Sequence, residues 1–295
     1  MGKISAVINT FNEEKNIEPL LKNIGFVDEI IVCDMHSDDK TVEIAKAMGA
    51  KIYIHERMGF VEPARNFAIS KASNEWILLL DADERLTDEL IKKIKLTTES
   101  TSIDYLQIPR KNIIFNKWMQ AAMWWPDYHI RLFKKDFVKW DEKIHSKPEA
   151  RGHEEVLEAE EENAIIHYNY QGLDDYLEKL LRYTKIQSEQ QVRSGYKFEW
   201  TDLLRKPLSE FLSRFFASKG YEDGLHGLSL SLLQAFSEFI LILRVWEKEG
   251  FNKKDLELKV IDSEFKRSGK EINFWIDKSL KVGKLKKILT KLNIG

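Results

Sequence analysis

Cysteine is almost absent: Cys33 is the one thiol in 295 residues, so no disulfide framework exists and the chain reads as the product of a reducing compartment. It sits inside "EIIVCD", a setting that suits a small buried side chain. Excess charge is absent too, with 46 Lys and Arg against 48 Asp and Glu and a net charge of −2. That balance argues against nucleic acid as the partner. Nor does the start read as a secretory leader, because residues 4–10 already have the character of a strand. A cytoplasmic location is therefore expected.

What the chain has in quantity is aromatic side chains and periodic apolar runs. Eight tryptophans in an 11% aromatic composition supply rings for the core, for stacking on sugars or for a membrane interface. "ISAVINT" (4–10), "EIIVCD" (29–34), "AKIYIHE" (50–56) and "EWILLL" (75–80) are short β-branched or leucine-rich runs that predict strands. Between the first two, Ile17, Leu20, Leu21 and Ile24 recur at helical spacing. Val42, Ala45 and Met48 do the same before Gly49, a helix stop signal. Strand and helix alternate to about residue 95, which predicts an α/β fold with a mostly parallel sheet covered on both faces. Ligands of such sheets bind beyond the carboxyl ends of the strands.

Those ends are polar. The first strand leads into Thr10, Asn12, Glu13 and Glu14, the second into Asp34, Ser37 and Asp39, the fourth into Asp81 and Asp83. If the chain stays extended through "DADE", Asp81 and Asp83 project to one side and reach a single ligand, with small Ala82 allowing a backbone or ribose to approach. Paired carboxylates with oxygen-only chemistry suit Mg or Mn held against phosphate rather than zinc. The competing reading makes these acids the cap of a helix starting near Thr87.

"VINTFNEEKNIEPLL", "IIVCDMHSDDKTVEIAKAMGAKI" and "GFVEPARNFAISKASNEWILLLDADE" resemble, in order and spacing over residues 3–95, the nucleotide-sugar motifs of family 2 glycosyltransferases with the GT-A fold. Downstream, "WWPDYHIRLFKK", "IIHYNYQGLDDYLEKLLRYTKIQ" and "GYEDGLHGLSLSLLQAFSEFILILRVWE" are similar to the branch containing lipopolysaccharide-core β-1,4-glucosyltransferases. The resemblance implies an inverting, metal-dependent transfer from a nucleotide-sugar, UDP-linked first, to a glycan or lipid-linked envelope acceptor. It assigns Thr10, Asn12 and Glu13 to the nucleoside, Asp34 to the base, and Arg65 and Asn66 to the border of the donor. Asp81, with Ala82, would touch ribose or metal, and Asp83 would ligate the metal. The segment "DMHSDD" departs from the family pattern, Met35 and His36 standing where a small or acidic residue and a glycine are usual.

An inverting transfer needs a base for the acceptor hydroxyl. Asp127 is the first candidate, beside the tryptophans of "WWPDYHIRLF", with a turn residue after Pro126 as its competing reading. Glu149 is the second, with Glu154 behind it, because relatives carry His-Glu where this chain has His145-Ser146. His145 and His167 are candidates to complete the metal site and His36 is a third. His55, His129, His153 and His226 carry no such signal. Trp118, Trp124 and Trp125 are candidates to stack on acceptor sugars.

The expected organisation is a GT-A catalytic domain over 1–170, with a nucleotide-sugar half (1–100) and an acceptor-side half (101–170), then a helical extension over 171–295. Leu225 to Trp246 is apolar on nearly every side yet interrupted by Ser229, Ser231, Gln234, Ser237 and Glu238, too polar to be read as a span. The tail from Lys270 carries seven lysines against two acids with interleaved aromatics, a composition attracted to the anionic inner leaflet of a membrane. Residues 149–163 read as an acidic surface loop. Two rivals remain. An NDP-sugar nucleotidyltransferase would show a glycine-rich basic loop where "NTFNEEKN" is acidic. A non-catalytic peripheral membrane protein would have no use for Asp83. A homo-oligomer stays open.

Overall fold

The computed structural model describes residues 2–57, 62–140 and 148–291. The chain forms two compact units, Met1–Trp118 with Trp125–Gln171, and Met119–Trp124 with Gly172–Gly295.

The first unit starts as the alternation predicts: β1 (Ile4–Thr10), α1 (Ile17–Asn23), β2 (Glu29–Asp34), α2 (Thr41–Ala47), β3 (Lys51–Ile54), α3 (Glu62–Ser70) and β4 (Trp76–Asp81). The strands β3-β2-β1-β4 lie parallel in that order. Every residue of β1 is buried, as a central strand covered on both faces requires. One face packs Ile4, Ile8, Leu78 and Leu80 against Leu20, Leu21 and Ile94; the other packs Val7, Ile77 and Leu79 against Ala64 and Ala68 of α3. Gly49 has φ +85°, and the N–H groups of Gly49 and Ala50 bond back to the carbonyls of Lys46 and Ala45. This left-handed closure of α2 is the stop that the sequence announced.

After β5 (Glu84–Leu86) and α4 (Asp88–Thr97) the sheet continues with β6 (Tyr105–Ile114), β7 (Lys117–Trp118) and β8 (Asp127–Lys134). Four more strands follow: β9 (Val138–Lys139), β10 (Glu149–Ala150), β11 (Glu154–Val156) and β12 (Ile165–Tyr170). The order is β3-β2-β1-β4-β8-β6-β12-β5. β8 runs antiparallel to both β4 and β6, and β12 lies parallel to β6 and antiparallel to β5. The acidic stretch 149–163 is therefore more than a loop. β10 pairs with β9 and β11 pairs with β6, because an edge strand can hydrogen-bond along its backbone while its glutamates stay in water.

The second unit comprises α5 (Leu173–Arg193), α6 (Asp202–Leu212), α7 (Gly224–Lys248) and α8 (Leu258–Lys291). It grips the segment Met119–Trp124: buried Asp223 accepts the N–H groups of Gln120 (3.0 Å) and Ala121 (2.8 Å), and Arg214 donates to the Ala122 carbonyl at 3.1 Å. A Cβ on Gly227 would stand 1.8 Å from the Gly220 carbonyl oxygen, so only glycine fits there. The stretch Gly220–Lys248 is, by length and composition, apolar enough to cross a membrane, with mean hydropathy 1.6 in its most apolar window and 33% of that window buried. Ser229, Ser231, Gln234, Ser237 and Glu238 thus do not take the stretch below that measure of length and composition. The buried core helix of a globular unit has the same composition.

Candidate active site

The strand ends meet where the α/β rule places a ligand. Between β1 and α1 the chain passes Asn12 in the left-handed region (φ +56°), and after β2 it passes His36 likewise (φ +59°). His36 thus adopts the conformation for which the family pattern has glycine, which explains how the departure is tolerated. The two loops are laced together. Asp34 is fully buried and accepts the Thr10 hydroxyl (2.8 Å), the Ser37 hydroxyl (2.6 Å) and the Ser37 N–H (2.8 Å). Ser37 accepts the N–H of Asn12 (2.8 Å), and Thr41 accepts that of Glu13 (2.7 Å). Asp34, which the resemblance assigns to the base, accepts from Thr10 and Ser37 through both oxygens. Its observed work is to fix the loops that present exposed Asn12 and half-buried Glu13.

The extended reading of "DADE" fails at Ala82. β4 ends at Asp81 and the chain turns through Ala82 and Asp83, so the two aspartates take different partners. Asp81 receives Arg131 at 2.6 Å and Arg65 at 3.4 Å. Burial alone would raise its pKa, yet the charges of Arg131, Arg65 and Arg110 hold it far below the usual carboxylate range. Asp83 stands 3.4 Å from Nε2 of buried His167 on β12. The helix-cap reading is settled by Thr87, whose own hydroxyl accepts the Leu90 N–H at the start of α4.

Glu84, the last acid of the motif, holds the site together. It is fully buried, accepts the Asp81 N–H at 2.9 Å, and pairs with Arg131 at 2.7 Å and Arg110 at 3.4 Å. Arg110 in turn grips Asp127 (Nη2 at 2.7 Å, Nε at 2.9 Å), which also receives Asn112 at 3.0 Å and lies 2.9 Å from His129 Nε2. Asp127 opens β8 rather than a turn. Burial opposes its ionisation, but His129, Arg110 and Asn112 hold its pKa far below the ordinary range. Because Asn112 gives its NH₂ to Asp127, its carbonyl oxygen faces His167 Nδ1 at 2.7 Å. His167 therefore donates from Nδ1 and turns Nε2 towards Asp83.

The remaining candidates divide. Arg65 joins the cluster through Asp81, and its Nε has no hydrogen-bond partner among the described residues. Asn66 spends its amide on both backbone groups of Trp140 (2.7 and 3.1 Å), fixing that loop. Glu149 is exposed in the β9–β10 pair and makes no described contact with the cluster. His145 lies outside the described residues. Trp118 meets Trp125 edge to face at 5.2 Å. Glu84, Arg110, Asn112, His129 and Arg131 were missed by sequence reasoning, although "DYHIR" carries a signal, a polar residue at every second position of a strand.

A carboxylate oxygen beside an imidazole nitrogen is a donor set better suited to Mn than to Mg, whose ligands are oxygens. Adjacent corners of an octahedron with bonds of about 2.1 Å stand about 3 Å apart, close to the 3.4 Å between Asp83 and His167. Among the described residues no group of three or more His, Cys, Asp or Glu could hold a metal ion. Two protein ligands would leave the other positions of such an ion to water and phosphate.

The chain is similar to several known proteins. Residues 5–149 match the model for glycosyl transferase family 2. A glycosyltransferase of Rickettsia typhi is 31% identical over 261 residues, 84% of this chain and 88% of that protein. The lipopolysaccharide core biosynthesis glycosyltransferase LpsC of Rhizobium meliloti is 22% identical over 255 residues, 84% of this chain and 93% of its own. Among solved structures, Staphylococcus aureus TarS 1–349 is similar over 86% of this chain and 94% of that one, at 15% identity and a TM-score of 0.42. With the matching model and the Rickettsia relative aligned over most of both chains, the chain belongs to glycosyltransferase family 2.

Proposed function

We propose that the chain moves a sugar from a UDP-sugar to a hydroxyl of a glycan or lipid-linked envelope acceptor, lipopolysaccharide core being the first candidate, with inversion and with Mg or Mn. The observation that carries this reading is the Asp83–His167 pair, whose histidine is oriented for ligation by Asn112. A cation held there would neutralise the diphosphate as it leaves. Asn12 and Glu13 are at hand for the nucleoside. Arg65, half-buried, paired to Asp81 at only 3.4 Å and with an Nε that has no hydrogen-bond partner among the described residues, supplies positive charge at the donor's border. The similarity to LpsC supports the acceptor class.

Calorimetric titration with UDP, GDP and dTDP, with and without Mn, tests this on the native chain and on Asp83→Ala. UDP binding that requires Mn and weakens at least about tenfold in the variant, about 1.4 kcal/mol, is the expected result. No binding of any nucleotide, or equal binding in the variant, overturns it.

A further inference from the structure

We propose that His129 is the general base that takes the acceptor's proton, and that Asp127 is the positioning residue that orients it. This rests on the transferase reading above. Three donor atoms converge on Asp127 Oδ2: Arg110 Nη2 at 2.7 Å, Arg110 Nε at 2.9 Å and Asn112 Nδ2 at 3.0 Å. A carboxylate so bound is anchored in its ionised form and is a poor proton acceptor. Its other oxygen, Oδ1, lies 2.9 Å from His129 Nε2. An ionised carboxylate accepts only, so Nε2 carries the hydrogen and the lone pair of the neutral ring is on Nδ1. That nitrogen has no hydrogen-bond partner among the described residues, and the His129 side chain is 37% exposed. The arrangement has the logic of a carboxylate–histidine dyad: the acid fixes tautomer and orientation, and the nitrogen it does not hold does the chemistry.

The charges around the ring decide its strength. Asp127 and Arg131 flank it on β8, Arg110 faces it from β6, and Asp81 at the end of β4 and Glu84 of β5 lie behind Arg131. Burial, and then the Arg110 charge, push the His129 pKa down to about 4, against the bond to Asp127. The ring is neutral at pH 7, with a basicity like that of an ordinary carboxylate and well above that of Asp127. In the transfer the acceptor oxygen bonds to the anomeric carbon as its proton passes to Nδ1. The bond from that carbon to the phosphate oxygen breaks, and its electron pair leaves with the nucleoside diphosphate. The imidazolium, disfavoured by Arg110 and Arg131, then returns the proton to solvent.

The test uses the full chain with Mn and UDP-glucose, UDP-galactose or UDP-N-acetylglucosamine, water serving as acceptor and UDP release as the readout. His129→Ala is expected to lower turnover by about 10²–10⁴-fold while the Kd for UDP with Mn stays within about twofold. Added imidazole is expected to restore turnover in His129→Ala, which no structural role predicts. The native acid limb should lie near pH 4, set by His129. Unchanged turnover, failure of imidazole to rescue, or loss of UDP binding alongside turnover would overturn the assignment. A native chain that binds UDP and releases none from these donors overturns it too. A native chain that binds no nucleotide removes the transferase reading itself, a separate and recognisable failure.

Discussion

Glu84 is the residue on which the cluster turns, and its removal gives the sharpest test of the packing argument. It is fully buried and receives three donors: the Asp81 N–H, Arg131 and Arg110. In Glu84→Ala, Arg131, itself 2% exposed, keeps only Asp81 as an anionic partner. Breaking a buried pair from one side costs about 3–5 kcal/mol; because Asp81 remains, the lower end applies. The Asp81 N–H loses its acceptor as well, about 1–3 kcal/mol. A total of about 4–6 kcal/mol is a large part of the 5–15 kcal/mol typical of a domain. Glu84→Gln keeps the shape and an acceptor for Asp81 and loses the charge, so about half that loss is expected. Urea denaturation at pH 7 followed by circular dichroism reads both variants, with the slope checked for constancy. A Glu84→Ala protein within about 1 kcal/mol of native would refute the reasoning, as would Glu84→Gln falling as far as Glu84→Ala.

Two further predictions concern groups away from the proposed chemistry. Glu29 is buried at the opposite end of the sheet; burial pushes its pKa up, but Lys51, Ser5 and Ser73 pull it down to about 2 from 4.5. A depressed carboxyl stabilises the fold above its unfolded pKa. The contribution, roughly 3 kcal/mol at about 1.4 kcal/mol per pH unit, is lost as pH falls from about 4.5 to 2. Glu29→Gln should flatten the stability-versus-pH curve in that window, and an unaltered slope would contradict the assignment. Burial, joined by the Asp34 charge, raises the Cys33 thiol to about 11. About one part in a thousand is thiolate at pH 8, so a disulfide reagent should label the protein only after unfolding, and rapid labelling of the native chain would show the site to be open.

The parallel half of the sheet, β3-β2-β1-β4, was legible in the sequence because its signals are local. β1 and β2 begin and end at the residues that their apolar runs mark, Gly49 stops α2, and strand–helix alternation fixes a parallel order without knowledge of any distant contact. The antiparallel part of the sheet was not legible in the same way. β8 enters the sheet between β4 and β6, antiparallel to both, and its register with β6 shifts between Leu106 and Gln107. Nothing near Asp127 in sequence announces that Arg110 and Asn112 will face it.

Period two was nevertheless written in "DYHIRLF": Asp127, His129 and Arg131 alternate with Tyr128, Ile130 and Leu132. A strand with one polar face inside a sheet must find partners for that face or bury unpaired charge. Three alternating ionisable residues therefore imply opposite charges nearby, and the acids after β4 are the supply. Read that way, Glu84 and Arg131 become a pair, and His129 becomes part of the same polar face as Asp127 rather than an isolated ring. The pattern argues that strand interiors with alternating charge should be treated as site candidates on the same footing as acids at strand ends, because both must be satisfied by something the local sequence does not contain.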